Sequence, residues 1–329
     1  CAAEVGEIAK TSADIEKVKS SSLSATALQN YLACPAKFYY TTVKGLQTED
    51  EVSESLDYGM FGTVFHDVMR AIYTAEEAMS PDFEFDYRGE NEQALNGRLT
   101  HMTRDYIKSW LEREESIREK VKALIVSQLK SMDVSGRNLV VADVIVRYVM
   151  KTLCRDLELM EASGLDSFQI LGLEMPVYGE FYGQRFKGFV DRIDSFEQGK
   201  ARIVDYKTGK VLPDDENIHD GNAADIAEKI FMPDIANRPK IALQFFIYDM
   251  LIKEDSRVKG MDIANSVYST ANLFKDNPKT VPLSSKFYDA MSSHLGELLD
   301  EMYNTDVPFH RTDDEKVCSY CDFKMICGR

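Results

Sequence analysis

Two alternating apolar and polar runs, joined by a short glycine-containing turn, constrain this chain more than any other stretch of it. Residues 186–196 and 201–208 read as strands, with the polar residues 197–200 between them as a hairpin turn. Side chains alternate faces along a strand, so Asp205 and Lys207 should project to one side while Tyr206 points away. Asp191, fourteen residues before Asp205, lies on the paired strand and can join them.

Chemistry gives those residue types a reason to meet. Mg²⁺ or Mn²⁺ takes hard oxygen ligands and keeps several waters, so Asp191, Asp205 and the Tyr206 carbonyl would hold such an ion and leave room for a phosphate. The ion lowers the pKa of a bound water and offsets charge developing on the phosphorus centre. Lys207 would orient or help deprotonate that water and stabilise the transition state. The competing reading is a solvated, charged hairpin surface.

Charge bounds the partners. The 329 residues carry a formal net charge of −16, which argues against a general nucleic-acid-binding surface, because such affinity comes from Lys and Arg neutralising phosphates. Between Gln184 and Lys210, however, seven basic residues (Arg185, Lys187, Arg192, Lys200, Arg202, Lys207, Lys210) face four acidic ones. The hairpin is locally basic. Acid concentrates after it, at Asp214, Asp215, Glu216, Asp220, Asp225, Glu228 and Asp234, which reads as an acidic, partly irregular insertion.

The hydrophobic content of 44% suits a globular protein with a sizeable core. No apolar run reaches membrane-spanning length and no signal-peptide pattern opens the chain, so a cytoplasmic location is expected. Residues 1–22, rich in Ala, Ser, Lys and Glu, read as a flexible tail or linker following an upstream domain. Ser24 should cap a helix running to Cys34, and a second helix should follow Gly62. Helical spacing over residues 92–132 (Leu95, Leu99, Met102, Tyr106, Trp110, Ile117, Val121, Leu124) and again over 139–160 predicts a helical subdomain. Strand signals occupy 169–178, the hairpin and 264–272, and helices are expected over 241–252 and 285–303.

Cys318, Cys321 and Cys327 close the chain and lack a fourth partner unless distant Cys34, in a Cys-Pro-x-x-Phe context, supplies it. Such a set can hold a [4Fe–4S] cluster or a tetrahedral zinc ion, or can be four reduced cysteines. Cys1 fits no such pattern, and Cys154 reads as a small core residue. His66, in a helix that opens with glycines, is a packed residue or a ligand; Glu174 is a half-buried carboxylate or an exposed strand residue. Gln244 and Tyr248 share one helix face.

Taken in order, these residues resemble the PD-(D/E)xK nuclease superfamily, and within it the RecB-like branch that contains the AddB-type iron–sulfur nuclease domains. The branch pattern is matched by Gly62-x-x-x-His66, Glu174, Gly188-x-x-Asp191, Asp205-Tyr206-Lys207 and Gln244-x-x-x-Tyr248, with Val190 where the superfamily name has Pro. The resemblance implies His66, Asp191, Asp205 and the Tyr206 carbonyl as metal ligands and Lys207 as the catalytic lysine. Gln244 and Tyr248 would line the site, with Glu174 beside them. It implies an iron–sulfur staple from Cys34 to Cys318, Cys321 and Cys327, joining the chain ends. The implied fold is α/β, a restriction-endonuclease-like central mixed sheet of roughly four or five strands flanked by helices. A nuclease domain over 23–329 would then carry a helical insertion at about 90–165. The implied activity is a metal-dependent DNA nuclease, an exonuclease of a double-strand-break repair complex with an AddA-like helicase-nuclease partner and an upstream helicase-like domain. A catalytically silent DNA-binding or scaffold module, or a zinc-bound interaction module, are the alternatives.

Overall fold

Apolar residues occupy both faces of the hairpin strands, so each side of the sheet needs a helical layer, and each has one. The computed structural model describes residues 7–47, 56–74, 101–129, 133–232 and 237–328. Six strands form one mixed sheet in sequential order: β1 His101–Thr103, β2 Ser167–Phe181, β3 Gln184–Glu197, β4 Lys200–Lys207, β5 Asp262–Ser269 and β6 Thr280–Val281. All neighbours are antiparallel except β4 and β5, which run parallel from Lys200↔Asp262 to Lys207↔Ser269. A parallel pair needs a crossover, and the chain between them supplies the helices α8 Pro213–Glu216, α9 Ala223–Phe231 and α10 Lys240–Ile252.

One face of the sheet packs, through Met175, Val177, Phe186, Val190, Ala201 and Ile203, against α9, α10 and three further elements. Those are α1 Ser12–Ser20, α2 Ala25–Ala33 and α11 Ser285–Tyr303. The other face, through Phe168, Leu173, Val204, Tyr206 and Tyr268, packs against α4 Tyr58–Thr74, α5 Arg104–Glu112, α6 Glu114–Leu129 and α7 Arg137–Ala162. The architecture is therefore α/β with a central mixed sheet flanked by helices. Helices α5 to α7, expected as an inserted subdomain, share a single apolar core with α4 and the sheet. Short helices α3 Pro35–Phe38 and α12 Glu315–Ser319 lie near the two chain ends, and a π-helical turn over Tyr39–Val43 follows α3.

Several expectations need correction. The second helix starts at Tyr58, ahead of Gly62, because the Asp57 carboxylate accepts the Met60 N–H at 2.7 Å and caps it. The helical spacing over 92–132 breaks into β1, α5 and α6: Met102 belongs to β1, and Thr103 caps α5 by accepting the Tyr106 N–H. Leu95 and Leu99 lie outside the described residues. Strands β1 and β6, three and two residues long, are too short to leave a period in the sequence, hence six strands among the described residues where four or five were expected. The strand expected over 264–272 ends at Ser269.

The acidic stretch after the hairpin is more ordered than its composition suggests. Helix α9 buries Ile226, Ala227 and Ile230 while its charged residues face out. For residues 7–22, where a flexible tail was expected, the structure has α1 with a full capping box between Thr11 and Asp14, and Val18 is buried. Lys10, also buried, donates to Tyr31 Oη at 3.1 Å and to the Glu301 carbonyl at 2.7 Å.

Candidate active site

The register of the sheet sets the site. Pairs Leu173↔Arg192 and Met175↔Val190 place Glu174 opposite Asp191 across β2 and β3. One step beyond Arg192↔Val204, Asp191 stands opposite Asp205 across β3 and β4. Three carboxylates thus occupy one rung of three adjacent strands, an arrangement that repels itself without a compensating cation.

The ladder yields at that rung. Tyr206 sends its N–H to Asp191 Oδ2 at 2.7 Å rather than to a β3 carbonyl, so the strands part there. Glu174 has φ of +44°, the left-handed region that a residue with a side chain enters at a cost of about 1–3 kcal/mol. The strain re-aims its carboxylate toward the gap.

From α4, His66 closes the cluster: its Nδ1 lies 3.4 Å from Asp191 Oδ1 and 3.6 Å from Glu174 Oε1. Its Nε2 lies 3.1 Å from the Tyr206 carbonyl. A carbonyl only accepts, so Nε2 carries a proton and Nδ1 is the nitrogen aimed at the carboxylates. Metal-binding histidines are commonly oriented through the other nitrogen in this way. Among the described residues, His66, Glu174 and Asp191 form the group of three with ligand atoms all within 4.8 Å of one another.

Asp205, expected in that set, stands beside it. The Lys207 ammonium lies 3.0 Å from its Oδ1 and 2.8 Å from its Oδ2, and Gln244 Nε2 donates to Oδ1 at 2.8 Å. The Tyr206 carbonyl, also expected as a ligand, accepts the His66 N–H in this structure. Gln244 Nε2 also reaches Tyr248 Oη at 2.8 Å. Gly188 makes the approach of that helix to β3 practicable, since a Cβ there would meet the Tyr248 ring at 2.6 and 2.8 Å.

The electrostatics follow from crowding buried charge. Burial pushes the Asp205 carboxyl up to about 6, aided by Asp191 and opposed by Lys207. Burial likewise raises Glu174. It works in the same sense on Asp191, but His66, Lys207 and the Tyr206 N–H outweigh it and hold that carboxyl below its ordinary value. Burial alone would lower His66, yet Asp191 and Glu174 hold it well above the usual histidine range. The donor set is two carboxylates and an imidazole, with Asp205 beside it, around a gap crowded with negative charge, which fits a divalent cation that would take the place of the His66 proton.

Two of the seven basic residues of the hairpin are internal. Arg192 is fully buried, paired through Nη1 with Asp156 Oδ2 at 2.8 Å and through Nε with Asp194 Oδ2 at 2.8 Å. Arg202 is also buried and binds Asp194 at 2.8 Å. Tyr268 Oη donates to Asp156 Oδ1 at 2.6 Å, and Tyr73 Oη bonds the other oxygen. This network fastens α4 and α7 to the sheet beneath the site, and the sequence reading passed over Asp156. Its signal was there: Asp156 continues the buried stripe Ile145, Val149, Leu153 of α7, where a charge needs a partner. Asp215, read only as part of the acidic stretch, accepts the Ile241 and Ala242 N–H groups at 2.9 and 3.1 Å and so anchors the start of α10. Nothing in the local sequence announces that contact.

The four cysteines of interest come together at the joined chain ends. Cys34 sits between α2 and α3, Cys318 in α12, and all four line one small cavity with Tyr40, Arg311 and Phe323. All are free thiols. Cys154 is half-buried on α7, and Cys1 lies outside the described residues.

Fold and site together define an α/β protein whose central sheet gathers a row of carboxylates, a histidine and a lysine around one gap. The chain belongs to the PD-(D/E)XK nuclease superfamily, whose family model matches residues 22–328. A crystal structure of a candidate exonuclease from Eubacterium rectale is similar over 94% of this chain and 88% of that one, at 12% identity and a TM-score of 0.41. No curated protein matches the chain. No helix among the described residues is long and apolar enough to cross a membrane.

Proposed function

We propose that this chain is a divalent-metal-dependent deoxyribonuclease, an exonuclease acting on DNA ends or unwound single strands. The observation that carries the reading is the rung Glu174–Asp191–Asp205, closed by His66 and bordered by Lys207. His66, Glu174 and Asp191 would hold Mg²⁺ or Mn²⁺, with Asp205 completing the set. The ion, when bound, supplies Lewis-acid polarisation of the phosphate and a more acidic bound water. Lys207, fixed by Asp205, carries the positive charge that orients the nucleophile and offsets charge on the phosphoryl oxygens. Gln244 positions Asp205 from α10 and is itself set by Tyr248.

The cysteine group supports an iron–sulfur staple between the chain ends. Cys34, Cys318, Cys321 and Cys327 line one small cavity, so a single group ligated by all four would tie Cys34 to the C-terminal trio. By resemblance to AddB-type domains, the biological setting would be double-strand-break processing in the cytoplasm. The partner would be an AddA-like helicase-nuclease subunit, and a helicase-like domain would lie upstream.

The test is cleavage of end-labelled single- and double-stranded DNA at low salt with Mg²⁺ or Mn²⁺, comparing the wild type with Asp191→Ala and Lys207→Ala. Metal-dependent cleavage that both variants lose supports the reading, and the product ladder gives polarity. A wild type that stays inactive after anaerobic cluster reconstitution and with its helicase partner would make the silent scaffold the better account.

A further inference from the structure

Among the described residues, helices α4 to α7 cover the sheet up to the site, and on the outer half of the β2–β3 hairpin the residues of that face are exposed. On that part of the sheet, Val177, Phe186 and Val190 are buried against the helices of the opposite layer, and Gly188 abuts Tyr248. The alternate residues point the other way. Tyr178 is 67% exposed and Phe189 39% exposed, and Arg185 and Lys187 are exposed with them. The register pairs Tyr178 with Lys187 and Pro176 with Phe189, so two aromatic rings and a lysine are cross-strand neighbours on one surface.

We propose that this face is a stacking platform for single-stranded DNA leading into the active site, with bases on Phe189 and Tyr178 and Lys187 on the backbone. The inference rests on the nuclease reading and adds the path of its substrate. Phe189 lies two residues from Asp191 on the same strand, so a base stacked on it leaves the neighbouring phosphate within reach of the carboxylate gap. Charge complementarity favours nucleic acid over another protein surface. In a chain of net charge −16, with Arg192 and Arg202 turned inward, the outer strand residues on this face, among those described, are Arg185 and Lys187 with Glu180, ahead of the carboxylates of the site itself. Every base has a π-face, so aromatic side chains beside a positive charge bind single strands without sequence preference. In a duplex those faces are already stacked, so the platform selects for unwound ends.

The experiment measures binding of fluorescein-labelled oligo(dT) and of a blunt duplex of equal length, in Ca²⁺ so that cleavage does not intervene. Wild type is compared with Phe189→Ala, Tyr178→Ala and Lys187→Ala, all exposed positions, with thermal melting to check the fold. Each aromatic variant should weaken oligo(dT) binding about tenfold while changing duplex binding little. Lys187→Ala should flatten the dependence of log Kd on log salt by about 0.7. Wild-type affinity in the aromatic variants, or a wild type that binds no oligo(dT), overturns the platform. Aromatic-dependent binding by a wild type that cleaves no DNA in Mg²⁺ or Mn²⁺ keeps the platform and removes the nuclease reading.

Discussion

Tyr206 gives its backbone N–H to the Asp191 carboxylate at 2.7 Å, and in doing so ends the β3–β4 ladder at the rung where Asp191 faces Asp205. The carboxylate that is expected to bind a cation is therefore also the wedge that opens the sheet for it. His66 above all, with Lys207 and this N–H, holds the Asp191 carboxyl below its ordinary value, beside two carboxyls that burial pushes the other way.

That crowding makes metal binding visible in stability. Saturating Mn²⁺, at a hundredfold excess over its Kd, should stabilise the wild type by about 2.7 kcal/mol and raise its Tm. Asp191→Ala should melt no lower than wild type in chelator and show no Mn²⁺ response. A full Mn²⁺ shift in that variant would place the cation elsewhere.

Gly188 is where β3 meets the Tyr248 ring. Gly188→Ala brings a Cβ to 2.6 Å from that ring and must displace it, with an expected loss of about 1–3 kcal/mol. Because Tyr248 sets Gln244 and Gln244 contacts Asp205, cleavage should fall more than stability explains. Denaturant unfolding and DNA cleavage, measured on one preparation, check both; unchanged values in both would contradict the contact.

Asp156 neutralises Arg192 in a fully buried pair. Asp156→Ala leaves the guanidinium with less compensation and should destabilise the fold by about 3–5 kcal/mol. Equilibrium urea unfolding measures it, and a loss below about 1 kcal/mol would mean that Asp194 suffices as counter-ion.

Asp249 on α10 is buried at the far end of the sheet, where Tyr288 Oη donates to it at 2.6 Å and Asn265 Nδ2 at 3.2 Å. Burial pushes its carboxyl up to about 7, against 3.8 ordinarily. Over that interval the folded state holds a proton that the unfolded chain has lost. The stabilisation is complete below the unfolded value and declines as pH rises through about 7. Asp249→Asn should remove this term, so its stability relative to wild type should be more favourable at pH 8 than at pH 5. Parallel unfolding curves at the two pH values test it, and a constant difference would refute the assignment.

If the cysteine group holds a cluster, Cys34→Ser should lose iron and labile sulfide together and lower the Tm, because Cys34 is the member contributed from the other end of the chain. Metal analysis after anaerobic reconstitution checks this, and a full complement of zinc without iron would favour the zinc module.

The hairpin, α2 with its Ser24 cap, α10 and the last long helix could be read from the sequence because each is governed by neighbours within a few residues. The same local logic put Asp205 and Lys207 together and set Gln244 beside Tyr248. Short range also explains the failures: β1 and β6 have too few residues to show a period, and Met102 fits a helical stripe as well as a strand. The burial of Arg192 and Arg202 depends on Asp156 and on the helices packed over the sheet, so two of the hairpin's seven basic charges became an internal network. Only tertiary structure could decide that Glu174, Asp191 and Asp205 share one rung. Register across three strands depends on how the whole sheet pairs and on a strained backbone at Glu174, and neither is encoded in the spacing of those three residues.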